Sequence, residues 1–179
     1  AVRDSGHAIG NHSWDHPSFP LVSGSERRRQ IRRCASVLPV ADTLIFRPPY
    51  GNQSVASRID AALTGHSVVT WNVCVPDWED HDGDWLADFT LRNLKPGCVV
   101  LMHDGMFDFM GETHSDRTPT LDAVEKILSS AGRQFEFVTV PDLLRRGKVV
   151  RVAWWMKPDV GFLNRLTRRN GDSRRYAVS

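Results

Sequence analysis

Two histidines four residues apart, in His12-Ser13-Trp14-Asp15-His16, are the first residues whose types and spacing could do chemistry. On a helical turn, positions i and i+4 share a face, so both imidazoles could grip one cation. By itself such a pair is more often a surface or hydrogen-bonded coincidence. Gly6, Gly10 and Asn11 just upstream predict a tightly turned backbone. Further along, Arg47-Pro48-Pro49-Tyr50-Gly51 sets a planar cationic fork beside a fixed double-proline turn. That turn could hold Arg47 against a carboxylate and aim a backbone N–H at a developing oxyanion; the plain alternative is a strand-ending turn with a surface arginine. Asp77-Trp78 and Leu101-Met102-His103-Asp104-Gly105 could bring an acid and a histidine to one rim. A carboxylate bonded to an imidazole orients it and favours its charged form, as a general acid requires. The plain alternative for His103 is a partly buried, satisfied histidine.

These clusters need a scaffold, and the apolar pattern supplies one. Strand-like runs alternate with helical patterns, which predicts βα units around a parallel sheet or barrel. A helix is expected over 25–38, with Ile31, Cys34 and Leu38 on its apolar side and Arg27, Arg28, Arg29, Arg32 and Arg33 mostly in water. Leu44-Ile45-Phe46 is a short strand stopped by Pro48-Pro49, and 53–63 the next helix. Val68 to Val73 has strand composition, and Pro76 interrupts it. Asp84 can cap a helix running to about Leu94, and Pro96-Gly97 leads into a strand over 99–102. Thr118-Pro119 opens a helix with Leu121, Val124 and Leu128 on one face and Gly132 beyond its end. Phe135 to Val140 is the last expected strand. Each polar cluster comes just after a strand, where parallel α/β folds place their sites.

Composition sets the bounds. The 179 residues are 41% hydrophobic and 25% charged, the profile of a globular domain rather than a disordered or low-complexity chain. No stretch reaches the roughly 18 apolar residues of a transmembrane helix. Net charge is +2, which by itself points to no nucleic acid partner. Its distribution is uneven: residues 144–179 hold ten Lys/Arg against Asp159 and Asp172. Trp154, Trp155, Phe162, Leu163 and Leu166 lie among those charges, so weak contact with an anionic membrane surface is one expectation for the tail and a packed, charge-outward helix another. Cys34, Cys74 and Cys98 are odd in number and show no CxxC spacing, so no disulfide framework is legible; Cys98, in an apolar run, is expected to be a small buried thiol.

Taken together, the chain resembles the polysaccharide deacetylase family, carbohydrate esterase family four, also called the NodB homology domain. The resemblance rests on Gly6-His7-Ala8-Ile9-Gly10-Asn11-His12-Ser13-Trp14-Asp15-His16-Pro17, Arg47-Pro48-Pro49-Tyr50-Gly51, Asp77-Trp78 and Leu101-Met102-His103-Asp104-Gly105. Lys95-Pro96-Gly97 and Phe135 to Val140 add support. It implies an α/β fold, a distorted (β/α)7-8 barrel here without its first strand or strands. It implies a deacetylase domain over 1–147, incomplete at its N-terminus, and a basic extension over 148–179. By resemblance His12 and His16 are two ligands of a divalent metal, usually zinc, which binds the acetyl carbonyl and acidifies a water. The Tyr50 N–H joins in stabilising the oxyanion, and His103 protonates the leaving group. Asp77 tunes His103, Trp78 and Leu101 wall the acetyl pocket, and Arg47 orients a base aspartate. The implied reaction releases acetate from N-acetyl or O-acetyl groups of a polysaccharide or oligosaccharide. The resemblance favours the cell envelope or secretion, with the cytoplasm left open.

Two departures matter. The family's first motif, an apolar strand ending Thr-Phe-Asp-Asp, carries the base and the third ligand several dozen residues before the histidines, and eleven residues precede His12 here. The expectation is therefore a parent protein that carries this motif upstream, and little turnover by this chain alone. Cys74 stands where the family often has an aspartate. A degenerate, glycan-binding member is the alternative, although its downstream chemistry should then have decayed as well.

Overall fold

The computed structural model describes residues 2–38, 44–105 and 116–152. The basic tail with its tryptophans, and most of the loop after His103, lie outside these residues. The described residues divide into two compact units: one holds those within Val2–Thr70 and Val149–Val152, the other those within Trp71–Lys148. Both are mixed α/β.

In the first unit, α1 (Gly24–Ala35) starts where the Ser23 hydroxyl accepts the Glu26 N–H, satisfying one of the helix's unpaired first-turn donors. Its inner side is less apolar than the sequence pattern predicts: Arg27, Gln30 and Ile31 are all buried. Arg27, expected in water, instead donates to Asp60 Oδ2 at 2.6 Å and to the carbonyls of Phe19 and Val22. Arg28 is bonded to the other Asp60 oxygen. A buried charge is tolerated because it is paired and hydrogen-bonded. Asp60 belongs to α2 (Val55–Leu63), which opens with a reciprocal Ser54/Ser57 capping box. Burial opposes ionisation of Asp60, but the bonds from Arg27 and Arg28 outweigh it and hold its carboxyl below the usual range. β1 (Ile45–Phe46) pairs in parallel with β2 (Ser67–Val68). Phe19, Ile31, Phe46 and Ala61 make the core, with Val68 against it.

In the second unit, β3 (Val73–Cys74) pairs in parallel with β4 (Val100–Leu101), and α3 (Gly83–Asn93) packs on α4 (Thr118–Ala131). The helices approach closely: a Cβ on Gly83 would stand 2.8 Å from the Asp122 Cβ and 3.0 Å from the Pro119 carbonyl. Val73, Val75, Leu86, Ala87, Ala123 and Ile127 form this unit's core, and Cys98, expected to be buried, is only partly so and packs against it.

Several boundaries differ from the sequence reading. The single strand expected over 68–73 is two short strands with different partners. α3 is capped by Asp82, whose Oδ1 accepts the Trp85 N–H at 2.8 Å; Asp84 instead meets Lys126 at 2.6 Å. α4 buries Thr120, Ala123, Ile127 and Ala131, while Leu121, Val124 and Leu128 are exposed by 67, 37 and 47%. Close helix approach selects the small residues, a preference that hydrophobic periodicity does not detect. The strand expected over 135–140 makes no ladder among the described residues. There Thr139 accepts the Asp142 N–H and Pro141 sits in the first turn of α5 (Val140–Arg146), so local capping chemistry overrides β propensity.

Candidate active site

The first group of site residues lies in the first unit. His12 and His16 do come together, with their Nε2 atoms 3.1 Å apart, but on an irregular loop rather than a helical turn. Ser13 and His16 take φ of 71° and 53°, the left-handed region, which costs about 1 kcal/mol or more per residue without glycine. The loop is built from its neighbours. Asn11 bridges to β1: its N–H donates to the Ile45 carbonyl, its carbonyl accepts the Arg47 N–H, and both bonds are 2.9 Å. Its side chain accepts the Ser13 N–H, and the Ser13 hydroxyl accepts the His16 N–H at 3.1 Å. The His12 Nδ1 lies 2.7 Å from the Arg47 carbonyl. A carbonyl only accepts, so Nδ1 carries the proton and Nε2 presents a lone pair, the tautomer a metal ligand needs. Two zinc–imidazole bonds of about 2.0–2.1 Å at a tetrahedral angle would set their nitrogens about 3.3 Å apart, so the pair suits such an ion. Among the described residues no group of three or more His, Cys, Asp or Glu is assembled to hold a metal.

Arg47 comes directly after β1, and burial pushes its guanidinium pKa down. Pro49, Tyr50 and Gly51 form one 3-10 turn in which Tyr50 takes φ 56° and ψ 7°. Such a conformation at a bulky residue is uncommon and is often stored at functional sites. The Tyr50 ring meets His16 edge-on, centroids 4.5 Å apart.

The second group lies in the second unit. Parallel register sets Val73 opposite Val100, so the chain leaves β3 and β4 at the same edge, with Asp77 and His103 a few residues beyond. Asp77, its side chain fully buried, accepts from His103 twice: ring Nδ1 to Oδ1 at 2.8 Å and backbone N–H to Oδ2 at 2.7 Å. His103 keeps 35% of its side chain exposed. The Trp78 ring stands edge-on to it at 5.7 Å, Leu101 is buried on β4, and Cys74, paired with Leu101 across the ladder, is exposed.

A model of the family described as polysaccharide deacetylase matches residues 1–69. A peptidoglycan-N-acetylglucosamine deacetylase of Listeria monocytogenes is 32% identical over 78% of this chain and 28% of its own length. The chain belongs to the polysaccharide deacetylase family. A chitooligosaccharide deacetylase of Azorhizobium caulinodans is 36% identical over 56% of this chain and 50% of its own. This deacetylase-family chain thus spans half or less of these two relatives. Among solved structures, the peptidoglycan N-acetylglucosamine deacetylase Bc1960 aligns with a TM-score of 0.70 at 28% identity, over 79% of this chain and 65% of that one. A family-four pseudoenzyme of Bacillus anthracis shares the fold at 23% identity and a TM-score of 0.67, over 80% of this chain and 48% of that one.

One residue of this family member that the sequence reading passed over is Arg117, at the N-cap of α4. Its Nη1 donates to the Asp77 carbonyl at 2.8 Å. Nη2 lies 2.7 Å from Asp77 Oδ2, 3.0 Å from the His103 carbonyl and 2.7 Å from Thr120 Oγ1. The guanidinium neutralises the buried carboxylate and ties both loops to one helix start. A lone arginine beside Thr118-Pro119 gives no sequence signal of this; only the expected helix start and the acid at Asp77 hint that a counter-charge is needed.

Proposed function

We propose that the protein hydrolyses N-acetyl groups, or by the same chemistry O-acetyl groups, on a carbohydrate polymer or oligomer and releases acetate. N-acetylglucosamine glycans are the substrate class, since the relatives are named for peptidoglycan and chitooligosaccharides. The observation that carries the reading is the imidazole pair, converged to 3.1 Å with the His12 tautomer set by the Arg47 carbonyl. His12 and His16 would hold a divalent metal, most simply zinc, which when bound supplies Lewis acidity toward the acetyl oxygen and a more acidic water. The Tyr50 N–H is the proposed second donor to the oxyanion. Water oxygen adds to the acetyl carbon, the C–N bond breaks, and His103 delivers a proton from Nε2 to the leaving nitrogen. Asp77 fixes the opposite ring nitrogen and Arg117 fixes Asp77. Trp78 and Leu101 wall the acetyl group, and Arg47 orients the base that takes the water's proton, which the family resemblance places on an aspartate preceding His12. Residues 1–147 are the proposed deacetylase domain, of the family's barrel type, and 148–179 an extension.

The test is acetate release from N-acetylglucosamine oligomers by the full-length protein. Loss of release with chelator and in His12→Ala is expected, and His103→Ala should fall by about 10²–10⁴ as a lost general acid does. Release that persists through chelation and His12→Ala overturns the metal reading. Glycan binding without any acetate release favours the non-catalytic member instead.

A further inference from the structure

We propose that Gln30 is a positioning residue for the two-histidine site, holding the loop that sets His12 and His16 against each other; this rests on the reading of that pair as metal ligands. Gln30 is only 2% exposed, on the inner side of α1, and every hydrogen-bonding position of its amide is used. Oε1 accepts the backbone N–H of Trp14 at 3.0 Å and of Asp15 at 2.8 Å. Nε2 donates to Asp15 Oδ2 and to Glu26 Oε1, both at 2.8 Å. The next residue of the helix holds the start of the loop, because the Ile31 carbonyl accepts from Asn11 Nδ2 at 2.8 Å.

The loop needs such support. Ser13 and His16 both sit at positive φ, a conformation that persists only where surrounding contacts over-determine it. The two amides that Gln30 satisfies belong to the residues between them. The requirement is for an amide specifically. A glutamate at position 30 could accept both N–H groups but would turn a carboxylate onto Asp15 and Glu26, whereas methionine would keep the volume and lose all four bonds. Through these bonds Gln30 acts on the histidines without touching them, the relation by which outer partners tune a metal site.

The experiment is zinc titration of this chain against a chromophoric chelator, together with amide hydrogen exchange at Trp14 and Asp15. The variants are Gln30→Met, Gln30→Glu, His12→Ala and the double variant Gln30→Met/His12→Ala. Gln30→Met is expected to bind zinc about 10–100-fold more weakly and to lose protection at both amides. Gln30→Met should weaken zinc binding no further once His12 is gone, while still exposing the Trp14 and Asp15 amides. A Gln30→Met protein that folds and keeps wild-type zinc affinity, or wild-type exchange at Trp14 and Asp15, overturns the proposal. Should that variant not fold, Gln30→Glu decides by zinc affinity, which is expected to weaken because a further carboxylate meets Asp15 and Glu26; wild-type affinity overturns the proposal. Zinc binding indifferent to His12→Ala refutes the metal reading, and with it the proposed role of Gln30 toward the metal, while exchange at the two amides still reports whether the loop is held.

Discussion

The two groups of site residues are held by opposite means. His12 and His16 sit on an irregular loop at unfavourable dihedrals, kept there by neutral hydrogen bonds from Asn11, Ser13 and Gln30. Asp77 and His103 come after paired strands in register, and a buried guanidinium locks them by charge. Many weak bonds distribute the cost of losing any one of them; a single buried ion pair concentrates it. The histidine loop should therefore tolerate the loss of one bond, while the acid–histidine pair should not tolerate the loss of its cation.

Arg117→Ala tests this most severely. It leaves the Asp77 carboxylate, with a fully buried side chain, without its cation, and breaking such a pair costs about 3–5 kcal/mol, to be read in denaturant unfolding. A loss under about 1 kcal/mol would erase the contrast.

The first unit has one concentrated interaction of its own, Asp60 with Arg27 and Arg28, and Asp60→Asn should cost about 3 kcal/mol by leaving Arg27 buried without its counter-charge. It also carries a pH signature. Because the folded carboxyl is held below its ordinary value, its contribution is complete above the unfolded pKa of about 3.9 and fades as pH falls through the folded value. Wild-type stability should thus drop below about pH 4 by a component that Asp60→Asn lacks, which acid titration of unfolding would show.

Ser13→Ala, removing one acceptor of the histidine loop, should cost only about 1 kcal/mol in thermal or chemical unfolding. A cost equal to that of Arg117→Ala would mean the loop is no more distributed than the ion pair.

Legibility in the sequence divides along the same line. The residues of both groups could be named from type and spacing, and the approach of Asp77 to His103 from their places after consecutive strands. Parallel pairing makes such placement nearly automatic. The histidine spacing was informative but its geometry was not: i and i+4 suggested a helix, whereas positive φ at Ser13 and His16 brings the rings together without one. Arg27, Gln30 and Arg117 escaped because polar residues on a surface-like pattern read as solvated, and burial with partners more than 13 positions away in sequence is a tertiary fact. The face of α4 was misjudged because large apolar residues outrank alanine in any periodic reading, although close approach favours alanine.

That close approach sets the standing of Gly83. It carries no functional group, yet a single methyl there would collide with Pro119 and Asp122, in the first turns of the helix that Arg117 begins. The arginine that keeps Asp77 and His103 in line is therefore placed partly by an empty volume on α3. In this chain the alignment of that acid and histidine thus leans on a position that a scan for chemical groups would pass over.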